Sequence, residues 1–259
     1  MRNYSDVLGQ LIEHGLRVSD LQVGRLMRCK VDGDKEKRGW YALHEMPKDG
    51  GSVLVGTYGI WHGDDNGLMK VELDKDCQLN KEQQAAVRKR VAEDKKRAEA
   101  ERKRRAMAAS KRAEKAWYIG TNEGENNYFD NKNIQAHGVR YSKSGAAMLP
   151  MLDTAGRVHG IQFIFDSVKH KAEIKKLGRN KTYWPSGLSK KAHFHLIGGS
   201  PVDLVIIAEG YATAASLYEA TGIPVVVAFD ANNLLAVGEA IRKRYKFVKI
   251  IFCADDDAF

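Results

Sequence analysis

"VDLVIIAEGYATAASLYEATGIPVVVAFDANNLLAVGEAIRKRYKFVKIIFCADDD", residues 202–257, alternates apolar runs with helix-forming stretches. The runs "VDLVIIAEG", "IPVVVAF" and "FVKIIFCADDD" carry too few polar residues to leave one strand face in water, which predicts strands buried on both sides. Between them, "YATAASLYEATG", closed by Gly222, and "NNLLAVGEAIRKRY" predict helices. This order predicts an α/β architecture, a parallel sheet covered by helices. In open sheets of that type ligands bind at the carboxyl ends of the strands.

Glu209 ends the first of these strands, and Asp255, Asp256 and Asp257 end the third. Side chains alternate along an extended segment, so Asp255 and Asp257 share a face while Asp256 points elsewhere. Three carboxylates brought to one rim repel one another unless a cation neutralises them, and oxygen ligands with room for water suit Mg²⁺ or Mn²⁺. Glu209, Asp255 and Asp257 are therefore the candidate metal ligands and catalytic carboxylates, with Asp256 and Asp230 as additional acidic candidates. Taken singly, Glu209 also reads as a carboxylate favoured by a helix dipole, and the aspartates as a polar loop. Asp230, at the end of the second strand, reads equally as a cap for the following helix. Gly210 leaves the backbone open to a phosphate or nucleotide, and the N–H groups of the helix beginning at Tyr211 favour an anion.

Upstream, residues 117–200 predict a mixed α/β segment. "AAMLPMLDTAGRVHGIQFIF" reads as two strands around a "DTAG" turn, with Ile161, Phe163 and Phe165 alternating on one face. His193 and His195 read as alternate residues on a strand rather than as zinc ligands, since no cysteine partners accompany them. The stretch "KHKAEIKKLGRNKTYWPSGLSKK", residues 169–191, places Lys169, Lys171, Lys175, Lys176, Arg179, Lys181, Lys190 and Lys191 around Tyr183 and Trp184. Cations for phosphates beside aromatic rings for bases is the composition of a single-strand groove, and Arg140 and Lys143 extend it. An ordinary charged β surface is the alternative.

Residues 80–116 contain no Gly or Pro and are rich in Ala, Glu, Lys, Arg and Gln, which predicts one long helix. Val87, Val91 and Met107 are its only larger aliphatics, so the expectation is a linker or exposed strut without a stripe that docks on a core. Its 14 basic and 6 acidic residues hold most of the chain's net charge of +9, either as a solvated face or as a non-specific phosphate-binding surface. Residues 1–79 predict a small β-rich N-terminal domain. It opens on a helix in "YSDVLGQLIEHG", with Ser5 and Asp6 as cap candidates and Val7, Leu8, Leu11 and Ile12 as its apolar stripe. "GWYALHE", "SVLVGTYGIWH" and "LMKVEL" then read as an antiparallel sheet. Trp40, Tyr41, Tyr58 and Trp61 either close its core or stack on bases. The organisation expected is thus 1–79, a linker helix 80–116, a template-binding subdomain 117–200 and a catalytic subdomain 201–259.

The chain holds 42 Lys and Arg against 33 Asp and Glu in 259 residues, which favours a polyanionic partner. Cys29, Cys77 and Cys253 are odd in number and scattered, against both a disulfide framework and a zinc module. No signal-peptide core or membrane-spanning apolar run occurs, so the expected location is the cytoplasm, with no membrane partner. No G-x-x-x-x-G-K-[ST] phosphate loop occurs either.

With Glu209 after one strand and the D-x-D of Asp255–Asp257 after a later one, residues 201–259 resemble a Toprim domain, the fold shared by bacterial-type primases, topoisomerases and some nucleases. More narrowly, "EGYATA" at 209–214 resembles the active-site motif of phage and plasmid DNA primases, the P4 alpha-like and TraC-like group. "NNYFDNKNIQAHGVRY" and "LPMLDTAGRVHGIQFI" resemble the segment that precedes Toprim in these primases. The resemblance implies primer synthesis on single-stranded DNA from nucleoside triphosphates with Mg²⁺ or Mn²⁺, in a bacterial host cell and with a replicative helicase domain or protein as partner. A Toprim nuclease, and a non-catalytic DNA-binding or helicase-recruiting module, are the alternatives. Two departures stand out: the cysteine pattern excludes the usual amino-terminal zinc module, and a Toprim fold normally continues past the D-x-D. The expectation is therefore a truncated catalytic subdomain from a larger primase-helicase.

Overall fold

The computed structural model of the chain describes residues 1–48, 50–62 and 65–253. Contacts divide the chain into two units, Met1–Glu101 and Arg102–Phe259.

The first unit begins with α1 (Tyr4–Glu13), whose Val7 and Leu11 are fully buried while Ile12 stays exposed at its edge. The cap position falls on Asn3, not on Ser5 or Asp6, which lie inside the helix. The Asn3 side chain gives no cap bond. It brackets the backbone of Leu54 instead, accepting from its N–H at 2.8 Å and donating to its carbonyl at 2.9 Å. An antiparallel sheet follows, made of β1 (Leu16–Arg17), β2 (Leu26–Val31), β3 (Gly39–Lys48), β4 (Gly51–Ile60) and β5 (Met69–Lys70), paired in sequence order. Trp40, Tyr41 and Tyr58 are buried in it, so these rings close the core rather than wait for bases. Trp61 is only half-buried, with the Arg28 guanidinium 5.3 Å from its ring.

The long helix, α2 (Lys81–Ile119), runs for 39 residues, about 58 Å at 1.5 Å per residue. The boundary between the units falls inside it. The expectation of an exposed strut is corrected on both sides of that boundary. In the first unit Asp94 is buried, accepting from His44 Nδ1 at 2.8 Å and from Arg97 at 2.6 Å. In the second, Ala109 and Ala113 are buried, and Ala113 packs with Met148, Val158 and Ile161. Small side chains dock a helix by letting its backbone approach, a route that a search for large aliphatics misses.

The second unit continues with α3 (Asn127–Lys132) and an antiparallel sheet of β6 (Arg140–Tyr141), β7 (Ala147–Leu152), β8 (Val158–Ile164) and β9 (Lys181–Trp184), with α4 (Lys171–Leu177) between the last two strands. Then come β10 (His195–Ile197), β11 (Leu204–Ala208), α5 (Tyr211–Thr221), β12 (Val225–Val227), α6 (Leu234–Arg244) and β13 (Lys249–Cys253). The sheet order is β10-β12-β11-β13: β11 pairs in parallel with β12 and β13, and β10 joins antiparallel to β12.

The parallel strands are apolar throughout because both faces are covered. Ile206 and Ala208 of β11 face a core with Tyr211, Ala214 and the β7 residues Leu149 and Met151, whereas Val205 and Ile207 face Val237 and Ile241 of α6. Gly222 ends α5 at φ +66°, the left-handed C-cap conformation that glycine adopts without penalty.

Candidate active site

The carboxyl end of β11 delivers Glu209 to a cavity of about 260 Å³ lined also by Gly210, Tyr211, Phe229, Gln162, Arg179, Lys181 and Tyr183. Two layers make it: the parallel sheet supplies the carboxylate and the start of α5, while β8 and β9 supply Gln162, Lys181 and Tyr183. Among the described residues the Glu209 carboxylate has neither a hydrogen-bond donor nor an ion-pair partner, although two cations share its cavity. Its backbone is fixed more firmly, since the Glu209 carbonyl accepts from Phe229 N–H at 2.8 Å, and Ala208 accepts from Ala228 in the same way. Phe229 takes φ +68° to make that contact, a left-handed conformation that costs a non-glycine residue about 1–2 kcal/mol. Its own carbonyl accepts from the Tyr183 hydroxyl at 2.7 Å. Burial, with Asp230 and Glu209 nearby, pushes the Tyr183 phenol above its ordinary value, so it stays a neutral donor.

Gly210 is the N-cap of α5 and lies at φ −99°. A Cβ there would meet nothing nearer than Thr213 Oγ1 at 3.9 Å, so the fold itself makes no demand for glycine at this position. The bare backbone leaves open space beside Glu209, as expected for close approach of a phosphate. Tyr211 is placed differently from a ligand-facing side chain. It is buried, and its oxygen accepts from His137 N–H at 2.6 Å.

Asp230 takes the capping role: its side chain accepts from Asn232 N–H at 3.1 Å at the start of the turn Ala231–Asn233, and it pairs with Lys190. The hydrogen bond and charge of Lys190 outweigh the partial burial of the Asp230 carboxyl and hold it below its ordinary range, with the Asn232 bonds adding to the effect. Asp230 is thus a satisfied group, not a vacant ligand. Asp255, Asp256 and Asp257 lie outside the described residues. What is described is the strand that leads to them: β13 pairs in parallel with β11, Cys253 opposite Ala208, one residue before Glu209. Among the described residues no group of three or more His, Cys, Asp or Glu side chains is placed to hold a metal.

The basic candidates divide into several settings. Arg179 and Lys181 enter the cavity, while Lys190 lies 4.8 Å from the Tyr183 ring. Arg140 is committed to the carbonyl of Trp117 at 2.8 Å and to the face of its ring. Lys169 donates to the Glu125 carbonyl at 3.2 Å. Lys143, Lys171, Lys175, Lys176 and Lys191 are exposed. Tyr183 and Trp184 do not share a groove: neighbours on β9 point to opposite faces, Tyr183 toward Glu209 and Trp184 toward α2, where Arg112 lies 5.2 Å from its ring. Gln162 escaped the sequence reading. The signal for it was a lone polar residue within "HGIQFIF", which is buried here.

The parallel sheet, the carboxylate at its strand end and the glycine before the helix lie in one α/β segment, and residues 203–258 of it match the family model of the Toprim domain. Most of the chain is similar to the DNA primase TraC of Escherichia coli, 28% identical over 246 residues, 90% of this chain and 21% of that protein. A second DNA primase TraC of Escherichia coli is 34% identical over 137 residues, 50% of this chain and 9% of that protein. The chain therefore spans about a fifth of the length of one of these curated relatives and less of the other. No solved structure matches the chain. No helix among the described residues is long and apolar enough to cross a membrane.

Proposed function

We propose that the chain is the catalytic part of a DNA primase, joining nucleotides into short primers on single-stranded DNA. The observation that carries this reading is the carboxylate of Glu209, unpartnered among the described residues, at the end of a parallel strand and sharing a cavity with Arg179 and Lys181. A carboxylate left unpaired beside two cations is suited to a ligand that carries both a metal and phosphates, and a nucleoside triphosphate is such a ligand. Glu209, with Asp255 and Asp257 of the acidic run after β13, would hold Mg²⁺ or Mn²⁺, which supplies charge neutralisation for the phosphates and the attacking hydroxyl when bound. The chain's own groups do the rest. Arg179 and Lys181 take phosphate oxygens, the α5 N-terminus adds N–H donors, and Gly210 clears the approach. The names of the TraC relatives favour this reading over a Toprim nuclease. A helicase partner and work in the cytoplasm of a bacterial host belong to the same proposal.

The test is metal-dependent synthesis of labelled oligonucleotides on single-stranded DNA by the chain and by Glu209→Gln. Synthesis that falls by at least about 100-fold in the variant, with its thermal unfolding unchanged, is the expected result. Equal synthesis by both proteins would remove Glu209 from the site, and DNA cleavage in place of synthesis would identify a nuclease.

A further inference from the structure

On the face of the β6–β9 sheet opposite Glu209, a groove of about 520 Å³ lies between α2 and the start of β8. Met107 and Lys111 stand one helical turn apart along its α2 wall, and His159, His193 and Arg157 form the other side. We propose that this groove binds single-stranded nucleic acid, with one base stacked against the His159–His193 pair and a flanking phosphate on Lys111.

Shape, surface and charge support this occupant. The volume falls within the range of about 300–1,000 Å³ typical of small-ligand sites. The two imidazoles already stack on each other, centroids 4.1 Å apart and planes 25° from parallel. Burial and the neighbouring His159 hold His193 below its ordinary proton affinity, so it presents a flat, neutral ring. Met107 is 66% exposed, an apolar side chain left at the groove in an otherwise strongly basic helix segment. Residues 102–115 carry seven Lys or Arg against the single acid Glu114. Asp153 pairs with Arg157 at 2.8 Å and with His159 at 3.0 Å, so Arg157 brings little net charge and Glu114 also lines the groove; the positive field comes from α2, with Lys111 exposed at the groove. A second flat ring follows on the same sheet face, Trp184 with Arg112 beside it. Rings spaced among cations match a strand of bases and phosphates, whereas an acidic peptide would use the cations and leave the rings idle.

The inference rests on the chain working on single-stranded DNA, but its test is independent of catalysis. Binding of a fluorescent homothymidine strand is followed by anisotropy in EDTA, without nucleoside triphosphates, for the chain, Lys111→Glu and Lys96→Glu. Lys111 and Lys96 are both exposed on α2, so the two variants alter net charge alike, and only the first changes the groove. Lys111→Glu is expected to bind about tenfold more weakly and Lys96→Glu to stay within about twofold of the unaltered chain. Photocrosslinking of the unaltered chain to a bromodeoxyuridine strand should mark peptides containing Met107, His159 or His193. Equal weakening in both variants, crosslinks confined to Lys181 and Tyr183, or displacement of the strand by polyglutamate as readily as by unlabelled DNA would overturn the proposal. Loss of primer synthesis in Glu209→Gln with binding intact would leave it standing, because that result reads the other face of the sheet.

Discussion

The phenol of Tyr211 sits two residues after Glu209 and does the opposite kind of work. It is 1% exposed, and the hydrogen bond from His137 N–H at 2.6 Å ties the start of α5 to the segment that follows α3. Burial pushes its hydroxyl far above the ordinary tyrosine range, so it remains a neutral partner at every working pH. Tyr211→Phe removes the acceptor and strands the amide. We expect a loss of about 1–3 kcal/mol in denaturant unfolding, together with unchanged primer synthesis well below the melting temperature. A loss of synthesis without a loss of stability would instead place the hydroxyl on the substrate. The motif "EGYATA" made the placement of Glu209 and Gly210 legible because it depends on position within a strand–helix unit. The Tyr211 side chain was illegible because its partner lies 74 residues away, and no local pattern records such a contact.

The elements show the same division between local pattern and distant partner. Alternating apolar runs and helix formers announced β11, α5, β12, α6 and β13, because each strand must be buried on both sides and each helix must cover it. The antiparallel β10, only His195–Ile197, was read as a strand through His195 but without its place beside β12, and His193 lies before it. For α2 the length was legible from the absence of Gly and Pro, while the docked face was not, since alanine serves equally well in water and against a sheet. Ala113 is fully buried beside Met148 and Ile161, so the consequence of this packing can be measured. Ala113→Leu adds three carbons to a filled interface and is expected to destabilise the second unit by about 1–3 kcal/mol. The same substitution at the exposed Ala108, in the same helix, should change stability by less than about 0.5 kcal/mol. Were the two variants equally stable, α2 would be the solvated strut that its composition suggested.

For the molecule as a whole, net charge is confined to one unit: residues 1–101 carry 18 basic and 18 acidic side chains, residues 102–259 carry 24 and 15. Several titrating groups in that second unit shape its response to acid, His193 and Asp230 among them, and His195 and Asp153 shift furthest of its histidines and carboxylates. His195 is buried, its Nε2–H donates to the His137 carbonyl at 3.0 Å, and its Nδ1 has no partner among the described residues. Burial, partly opposed by the His137 carbonyl, lowers its pKa to about 4. Below the unfolded value of about 6.5 the unfolded chain takes up a proton that the folded chain refuses, so stability falls as the pH drops from about 6.5 to about 4, by up to about 3 kcal/mol. Asp153 acts lower on the scale. Partial burial raises its pKa, but hydrogen bonds from His159, from the backbone and guanidinium of Arg157 and from the Ala155 backbone outweigh that and hold it at about 2. Its contribution is therefore complete above about pH 4 and disappears as the pH falls toward about 2, a loss of up to about 2 kcal/mol. Urea unfolding followed across this range should show two successive declines. His195→Gln, which keeps a donor for the His137 carbonyl but cannot titrate, should flatten the upper decline and leave the lower one. Asp153→Asn should lower stability at neutral pH and flatten only the lower decline. An upper decline of undiminished slope in His195→Gln would assign it to His193, whose proton affinity burial also lowers, or to the general repulsion of a basic unit, because only the His195 ring is removed by that substitution.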